Sequence, residues 1–409
     1  MTTQTLALDE ASARSSRWKS LIAASLGWTL DAMDWMILSL ALTHIGVEFG
    51  AGLAQLGMLA TATLLGATIS GLFVGMLADK YGRVKMLTIT MVWYAAATAA
   101  CGFAQDMTQL LLLRFITGVG LGGEWGIGAA LVSEYWPEKY RARATSFVHS
   151  GWPIGYGLAS LAYIFILPEW GWRTMFFLGI IPAFVALWVR MSVPEPEEWK
   201  QAKAKKAVPG EEKKIPLGVL FSPQYRKTTI TAIVWMSGML MAYWGAATWL
   251  PAFLSKAKDL NIIKTGGFLI VLNVGAFLGY QFYGWLADAK GRRFSMLFGC
   301  VGSIVATLIY VSINSESTLL LFGPVFGFLT YGIFGVSGAF ISELYPPEVR
   351  ATGTSLIFNS GRGFAMISPF LIGTVASKYG LTLGLGLTAA FSTVAIIALF
   401  LLPETRKNR

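Results

Sequence analysis

The stretch Gly75-Met-Leu-Ala-Asp79-Lys-Tyr-Gly82-Arg83 returns 209 residues later as Gly284-Trp-Leu-Ala-Asp288-Ala-Lys-Gly291-Arg292. A second stretch, Ser133-Glu134-Tyr-Trp-Pro137 with Arg141, returns at the same offset as Ser342-Glu343-Leu-Tyr-Pro346 with Arg350. Two motifs that share one offset mark an internal duplication. The chain reads as two halves, 1–193 and 227–409, joined by a polar segment over 194–226. That segment holds Pro194, Pro196 and the run from Lys200 to Lys206. It reads as a solvated linker, or alternatively as an amphipathic helix lying on anionic lipid.

Composition says what surrounds the two halves. Of 409 residues, 55% are hydrophobic and only 13% are charged. A soluble globular chain carries about 25% charged residues, so a water-soluble enzyme is excluded. Apolar runs fall near 20–45, 54–78, 86–104, 109–133, 145–168, 171–192, 227–255, 266–287, 294–313, 317–341, 351–376 and 382–402. At about 20 apolar residues per crossing, twelve crossings need roughly 240 residues, which fits. Each run must be a helix, because a lone strand in lipid leaves its backbone polar groups unpaired. The first run follows a polar start with Asp9 and Glu10 and is too long for a signal-peptide core, so it reads as a retained helix.

Lysine and arginine set the direction. With both termini in the cytoplasm, the inner segments hold 25 of the 32 basic residues and the outer loops hold 5. The expected location is therefore the cytoplasmic (inner) membrane, multi-pass, with both termini cytoplasmic. The net charge of +10 sits in short loops between apolar runs, so no nucleic-acid partner is expected. Cys101 and Cys300 lie inside apolar runs and imply no disulfide framework.

The doubled Gly-x-Leu-Ala-Asp-x-x-Gly-Arg motif, with Arg114-Phe-Ile-Thr-Gly118-Val-Gly120 on the fourth run, resembles the major facilitator superfamily of transporters. Trp28-Thr-Leu-Asp31-Ala-Met-Asp34-Trp35, Gly122-Gly123-Glu124-Trp125 and His149-Ser-Gly-Trp152-Pro153-Ile-Gly155-Tyr156 are similar to its sialate and lactate branch of proton symporters. The Asp-Ala-Met-Asp stretch is also similar to nicotinate permeases. The resemblance implies an all-α membrane protein of twelve transmembrane helices in two pseudo-symmetric six-helix bundles. It implies rocking of the bundles about a site near mid-membrane.

Ionisable groups inside a membrane are costly and are functional candidates by default. Asp31 and Asp34 sit near the middle of the first run, three residues apart. The resemblance implies that Asp34 handles a proton and pairs with Arg114; Asp31 is either a second proton site or an orienting neighbour. Glu124 lies ten residues past Arg114, about 80° round a helix, and either joins the proton path or is a buried structural acid. Arg362 stands in Phe358-Asn359-Ser-Gly361-Arg362-Gly363 with no carboxylate at its depth in the C-terminal half. An arginine there needs an anion. A substrate carboxylate supplies it, Asp31, Asp34 or Glu124 does so across the interface, or helix-end carbonyls meet the guanidinium instead. Asn359, His149, Trp152, Tyr156, Tyr243, Trp244 and Tyr331 join Arg362 as candidate substrate residues, and Phe334 and Trp249 are further candidates for the lining. His149, Trp152 and Tyr156 share one helical stripe, where packing is the competing role. Trp244 repeats Trp35 across the 209-residue offset.

The loop charges Asp79, Arg83, Glu134, Arg141, Asp288, Arg292, Glu343 and Arg350 fall at helix ends. The resemblance implies an ion-pair latch that gates the inner side; the plainer role is to set topology. No Cys/His metal cluster, phosphate-cradling loop or ATP-binding domain is present in the sequence. The expectation is therefore no enzyme, no cofactor, and a monomer that imports a small organic carboxylate with protons across a lipid bilayer. Competing readings are an exporter of amphipathic cations or drugs, a nicotinate or aromatic-acid permease, and a transport-dead sensor.

Overall fold

The computed structural model describes residues 3–124, 127–128, 135–136, 144, 147–195 and 216–405. Glu134, Arg141 and most of the 194–226 segment lie outside the described residues, as does the side chain of Asp79.

Helices follow the apolar runs. They are α1 (Thr3–Phe49), α2 (Leu53–Tyr81), α3 (Arg83–Cys101), α4 (Met107–Leu121) and α5 (Gly151–Phe165). Next come α6 (Leu167–Ser192), α7 (Arg226–Ala257), α8 (Ile262–Lys290), α9 (Arg292–Ser312) and α10 (Glu316–Glu343). Finally, α11 is Pro347–Ala365 continued by Ile367–Tyr379, and α12 is Leu381–Phe400. Nine helices among the described residues are long and apolar enough to cross a membrane. Helix α1 begins well before the apolar run at residue 20. Large apolar side chains such as Phe73, Phe184, Trp285 and Leu321 stand exposed, as a lipid-facing surface requires.

The boundaries have local causes. Asp106 caps α4 by accepting from Gln109 N at 2.8 Å, and Asn261 caps α8 by accepting from Lys264 N at 2.9 Å. The repeated motif turns at Gly82 and Gly291, whose φ values are +117° and +109°. Glycine takes such values without a steric penalty, which is why each motif copy carries one there. Each turn also seats a carboxylate. Glu195 accepts from Val84 N at 3.2 Å and Lys85 N at 2.9 Å. Glu404 accepts from Arg292 N at 2.9 Å and Arg293 N at 3.1 Å. These two acids are themselves 209 residues apart.

Helices α1–α6 pack with one another, and so do α7–α12. The two sets meet along α2 with α11, α5 with α8, and α1 with α7. Thr61 donates its hydroxyl to the Met366 carbonyl at 2.6 Å. A Cβ placed on Gly57 would lie 2.5 Å from the Pro369 carbonyl oxygen, so the α2 and α11 backbones touch there. Gly266 of α8 lies against Ser160 and Ile164 of α5. The Thr61, Gly57 and Gly266 contacts fall toward the helix ends remote from the linker. They form a seal on that side, and the cavity described next lies on the linker side of it.

A cavity between the halves and its buried acids

A cavity of about 710 Å³, counting the solvent open to it, lies between the two halves. Helix α1 presents Trp28, Asp31 and Trp35 to it, at the three- and four-residue spacing of one helical face. The turn before α5 gives His149, and α5 itself gives Trp152. From the other half come Tyr243 and Trp244 on α7, Tyr280 on α8, Phe334 and Ser337 on α10, and Phe358 and Arg362 on α11.

Aromatic contacts tie this lining together across the interface. Trp35 and Trp244 have ring centroids 4.4 Å apart, and Trp152 and Trp244 are 6.0 Å apart. Trp28 lies 4.8 Å from Trp152 and 6.0 Å from His149. The Trp152 indole N–H donates to the Tyr243 hydroxyl. Flat faces at several angles favour a flat guest.

The charges divide into three groups. Arg114 and Asp34 face each other inside the N-terminal half, Nη1 to Oδ2 at 3.5 Å, both fully enclosed. Arg114 Nε also donates to Thr63 Oγ1 at 3.1 Å. Neither residue lines the cavity. Asp31 does, and its buried neighbours are Glu124 and Tyr94. Glu124 follows the end of α4 at Leu121, past Gly122, which keeps helical dihedrals, and it reaches α1. Its carboxylate lies against Gly27, where a Cβ would collide with it.

Arg362 is the third group. It is buried, with only 6% of its surface exposed. Its Nη1 donates to the Gly122 carbonyl at 3.4 Å, and its guanidinium lies 4.9 Å from the Phe358 ring centroid. Among the described residues no carboxylate comes within ion-pair distance, 4.0 Å, of it. Asp31, on the same cavity, is the acid whose field reaches it.

Four candidates stand away from the lining. Asn359 packs its amide on Gly71 of α2 and donates to the Ser355 carbonyl at 3.0 Å. Tyr156 is fully buried off the cavity. Tyr331 stacks behind Tyr243, with centroids 5.0 Å apart. Trp249 donates its indole N–H to the Pro369 carbonyl at 2.8 Å and is a packing residue between α7 and α11. Trp28, Trp35 and Phe358 were not singled out as site residues. Their flanking of Asp31 and Arg362 at helical spacing is the signal that finds them.

At the linker end, Arg292 holds Asp288 at 2.5 Å and Glu343 at 3.2 Å. Thr405 adds a hydroxyl donation to Glu343 at 2.6 Å. These bonds tie α8, α9 and α10 to the chain after α12. They stay inside the C-terminal half. Arg350 is exposed at the start of α11, and Arg83 opens α3. The Glu195 and Glu404 caps are functional candidates that the motif reading missed. Their signal is a Pro-Glu pair just after α6 and again after α12.

Comparison with known proteins follows this geometry. The model of the Major Facilitator Superfamily matches residues 24–280 and 265–409. A Haemophilus influenzae chain described as a metabolite transport protein is 36% identical, covering 95% of this chain and 97% of its own length. The cis,cis-muconate transport protein of Acinetobacter baylyi is 33% identical, with 95% of each chain covered. The sialic acid transporter NanX of Escherichia coli is 30% identical, covering 93% of this chain and 92% of its own. The crystal structure of a D-xylose-proton symporter superposes with a TM-score of 0.78 at 18% identity, over 96% of this chain and 99% of that one. The chain therefore belongs to the Major Facilitator Superfamily, as a multi-pass membrane transporter and not an enzyme.

Proposed function

We propose that this transporter imports a small organic carboxylate together with protons by alternating access. The observation that carries the reading is Arg362, a buried cation on the cavity wall with no ion-paired carboxylate among the described residues. Arginine presents a rigid fork of donors that fits a carboxylate with two parallel hydrogen bonds. A substrate anion supplies the charge that the protein withholds. Trp28, Trp35, Trp152, Trp244 and Tyr243 suit a flat or conjugated body on that anion. Muconate and sialate, named for two of the relatives, are both carboxylates.

Protons fit the N-terminal half. Asp34 opposite Arg114, and Asp31 beside Glu124, are buried acids in two different electrostatic settings. Removing water from a carboxylate favours its neutral form, and a nearby guanidinium favours its charged form. Opening one side of the protein changes that balance, so a proton is taken up on one side and released on the other. Halves 1–193 and 227–409, joined by 194–226, supply the two rocking bodies, with both termini in the cytoplasm of a bacterial inner membrane. In this arrangement the sealed end faces outward and the cavity faces the cytoplasm.

The test is uptake into vesicles containing the purified chain, run over a panel of radiolabelled carboxylates. A carboxylate should accumulate when the outside is acid, and collapse of the proton gradient should abolish the accumulation. Equal uptake with and without the gradient rejects the coupling. Thermal stabilisation by organic cations alone rejects the carboxylate and favours an exporter of cations.

A further inference from the structure

A second, small cavity lies inside the C-terminal half, between α7, α9, α10 and α12, with about 250 Å³ of space counting the solvent open to it. Tyr243 and Phe334 line both cavities, so these two rings stand between them. The second cavity is not purely apolar. Cys300, Ser303, Thr330 and Ser392 face it. Thr330 is buried with 5% exposure, and its hydroxyl finds no hydrogen-bond partner. A buried hydroxyl left unpaired costs free energy, and an uncommitted polar group on a cavity wall is a ready contact for a guest.

The backbone around Phe334 is built irregularly. Helix α10 breaks over 331–333, between Thr330 and Phe334. Gly332 N reaches back to the Gly327 carbonyl at 3.3 Å, a wider turn than an α-helix makes. Phe334 N, Gly335 N and Val336 N then bond the carbonyls three residues before them, at 3.3, 3.1 and 3.3 Å. Such mid-helix changes of pitch recur at functional positions. Of the two partition rings, Tyr243 is held by Trp152 and by the rings of Trp244, Tyr331 and Phe334. Among the described residues Phe334 makes one ring contact, to Tyr243 at 5.2 Å.

We propose that Phe334 sets the size limit of the substrate: its ring closes off a polar-lined subsite that takes a hydroxyl-bearing extension of a longer carboxylate once the ring is cut back. This rests on the carboxylate reading above, and two separate readouts keep the failures apart. The first readout needs no substrate. In the full chain carrying Cys101→Ser, methyl methanethiosulfonate should label Cys300 slowly. Phe334→Ala should raise that rate about tenfold or more, with Phe334→Leu between. Phe358→Ala, on the main cavity only, should leave Cys300 shielded and controls for general loosening. Equal labelling of Cys300 with and without Phe334→Ala, or an equal rise in Phe358→Ala, overturns the partition.

The second readout is thermal stabilisation by benzoate and by 4′-hydroxybiphenyl-4-carboxylate. Benzoate should stabilise the wild type and both Phe334 variants. The long acid should stabilise Phe334→Ala and Phe334→Leu but not the wild type, a change of about tenfold or more in apparent Kd, as expected for pocket-shape discrimination. Opened Cys300 with the long acid still refused overturns the size limit alone. Opened Cys300 with neither acid acting on any form overturns the carboxylate reading and takes the size limit with it, while the partition stands.

Discussion

Asp31 and Arg362 line one cavity from different halves of the chain, and no ion pair within 4.0 Å joins them. Each is a charge-bearing group almost removed from water, with exposures of 1% and 6%. Opposite charges that share a cavity without closing on each other leave room for a third group between them. A carboxylate on Arg362 is compatible with a protonated Asp31 and is repelled by an ionised one. On the proposed reading, substrate binding and proton binding are linked through a single space.

Arg362→Ala should weaken the carboxylate that the uptake panel identifies by about ten- to a hundredfold in Kd, the worth of a hydrogen bond to a charged group, about 1.5–3 kcal/mol. Arg362→Lys should recover only part of this, because a lysine keeps the charge and loses the fork. Calorimetric titration of the three forms measures it. Equal affinity in wild type and Arg362→Ala removes Arg362 from the binding site and makes Asp31 its structural partner.

Arg114 and Asp34 form a closed pair at 3.5 Å, away from the cavity. Removing one member of a buried pair strands the other charge, at a cost of about 3–5 kcal/mol. Arg114→Ala should therefore lower the thermal stability of the purified protein sharply. Arg114→Met combined with Asp34→Leu should recover most of the loss, since well-packed apolar residues replace such pairs at little cost. Both forms should lose proton-driven accumulation. An Arg114→Ala protein that melts with the wild type would show that Asp34 is already neutral in this conformation.

Much of this architecture was legible in the sequence, and the limits have physical causes. Gly82 and Gly291 were legible because a repeated motif forces both halves to turn in the same way. Asp34 and Arg114 were legible as candidates because charges in apolar helices are rare and need partners. Periodicity placed Trp152 and Tyr156 on one stripe, yet only Trp152 meets the cavity. Helical spacing gives a direction and does not give the depth at which a cavity ends. Glu124 meets Gly27 of α1 in a tertiary contact, and Gly332, inside the break in α10, lies against Gly279 of α8. Neither tertiary contact leaves a periodic trace. The Glu195 and Glu404 caps escaped notice because each acts on a helix more than a hundred residues distant.

The seal remote from the linker rests on backbone contact at Gly57, where a Cβ would lie 2.5 Å from the Pro369 oxygen and 2.9 Å from its carbonyl carbon. A larger side chain there must push α2 and α11 apart. Gly57→Leu should hold that end open. A cysteine at Thr61, which bonds Met366 across the seal, reports on it in a Cys101→Ser, Cys300→Ser background. Thr61→Cys should react slowly with an impermeant thiol reagent in the parent and about tenfold faster with Gly57→Leu added. Unchanged reactivity would mean that the seal closes without this contact.

Glu195 and Glu404 occupy equivalent places in the two halves, each accepting two backbone N–H groups at the start of α3 or α9. A carboxylate at a helix N-terminus satisfies donors that have no intrahelical partner and meets the positive end of the helix dipole. Glu195→Gln and Glu404→Gln should each cost about 1 kcal/mol, in the range of cap substitutions. The Glu404 change should be the larger, because the turn it caps also carries the Arg292 side chain that bonds Glu343, and Thr405 beside it bonds Glu343 too. The two acids sit on separate halves, so the double variant should lose the sum of the single losses within about 0.5 kcal/mol. Denaturant or thermal unfolding of the four proteins measures this. A double variant well short of the sum would show that the two caps are coupled, and the linker end would then behave as one cooperative body instead of two.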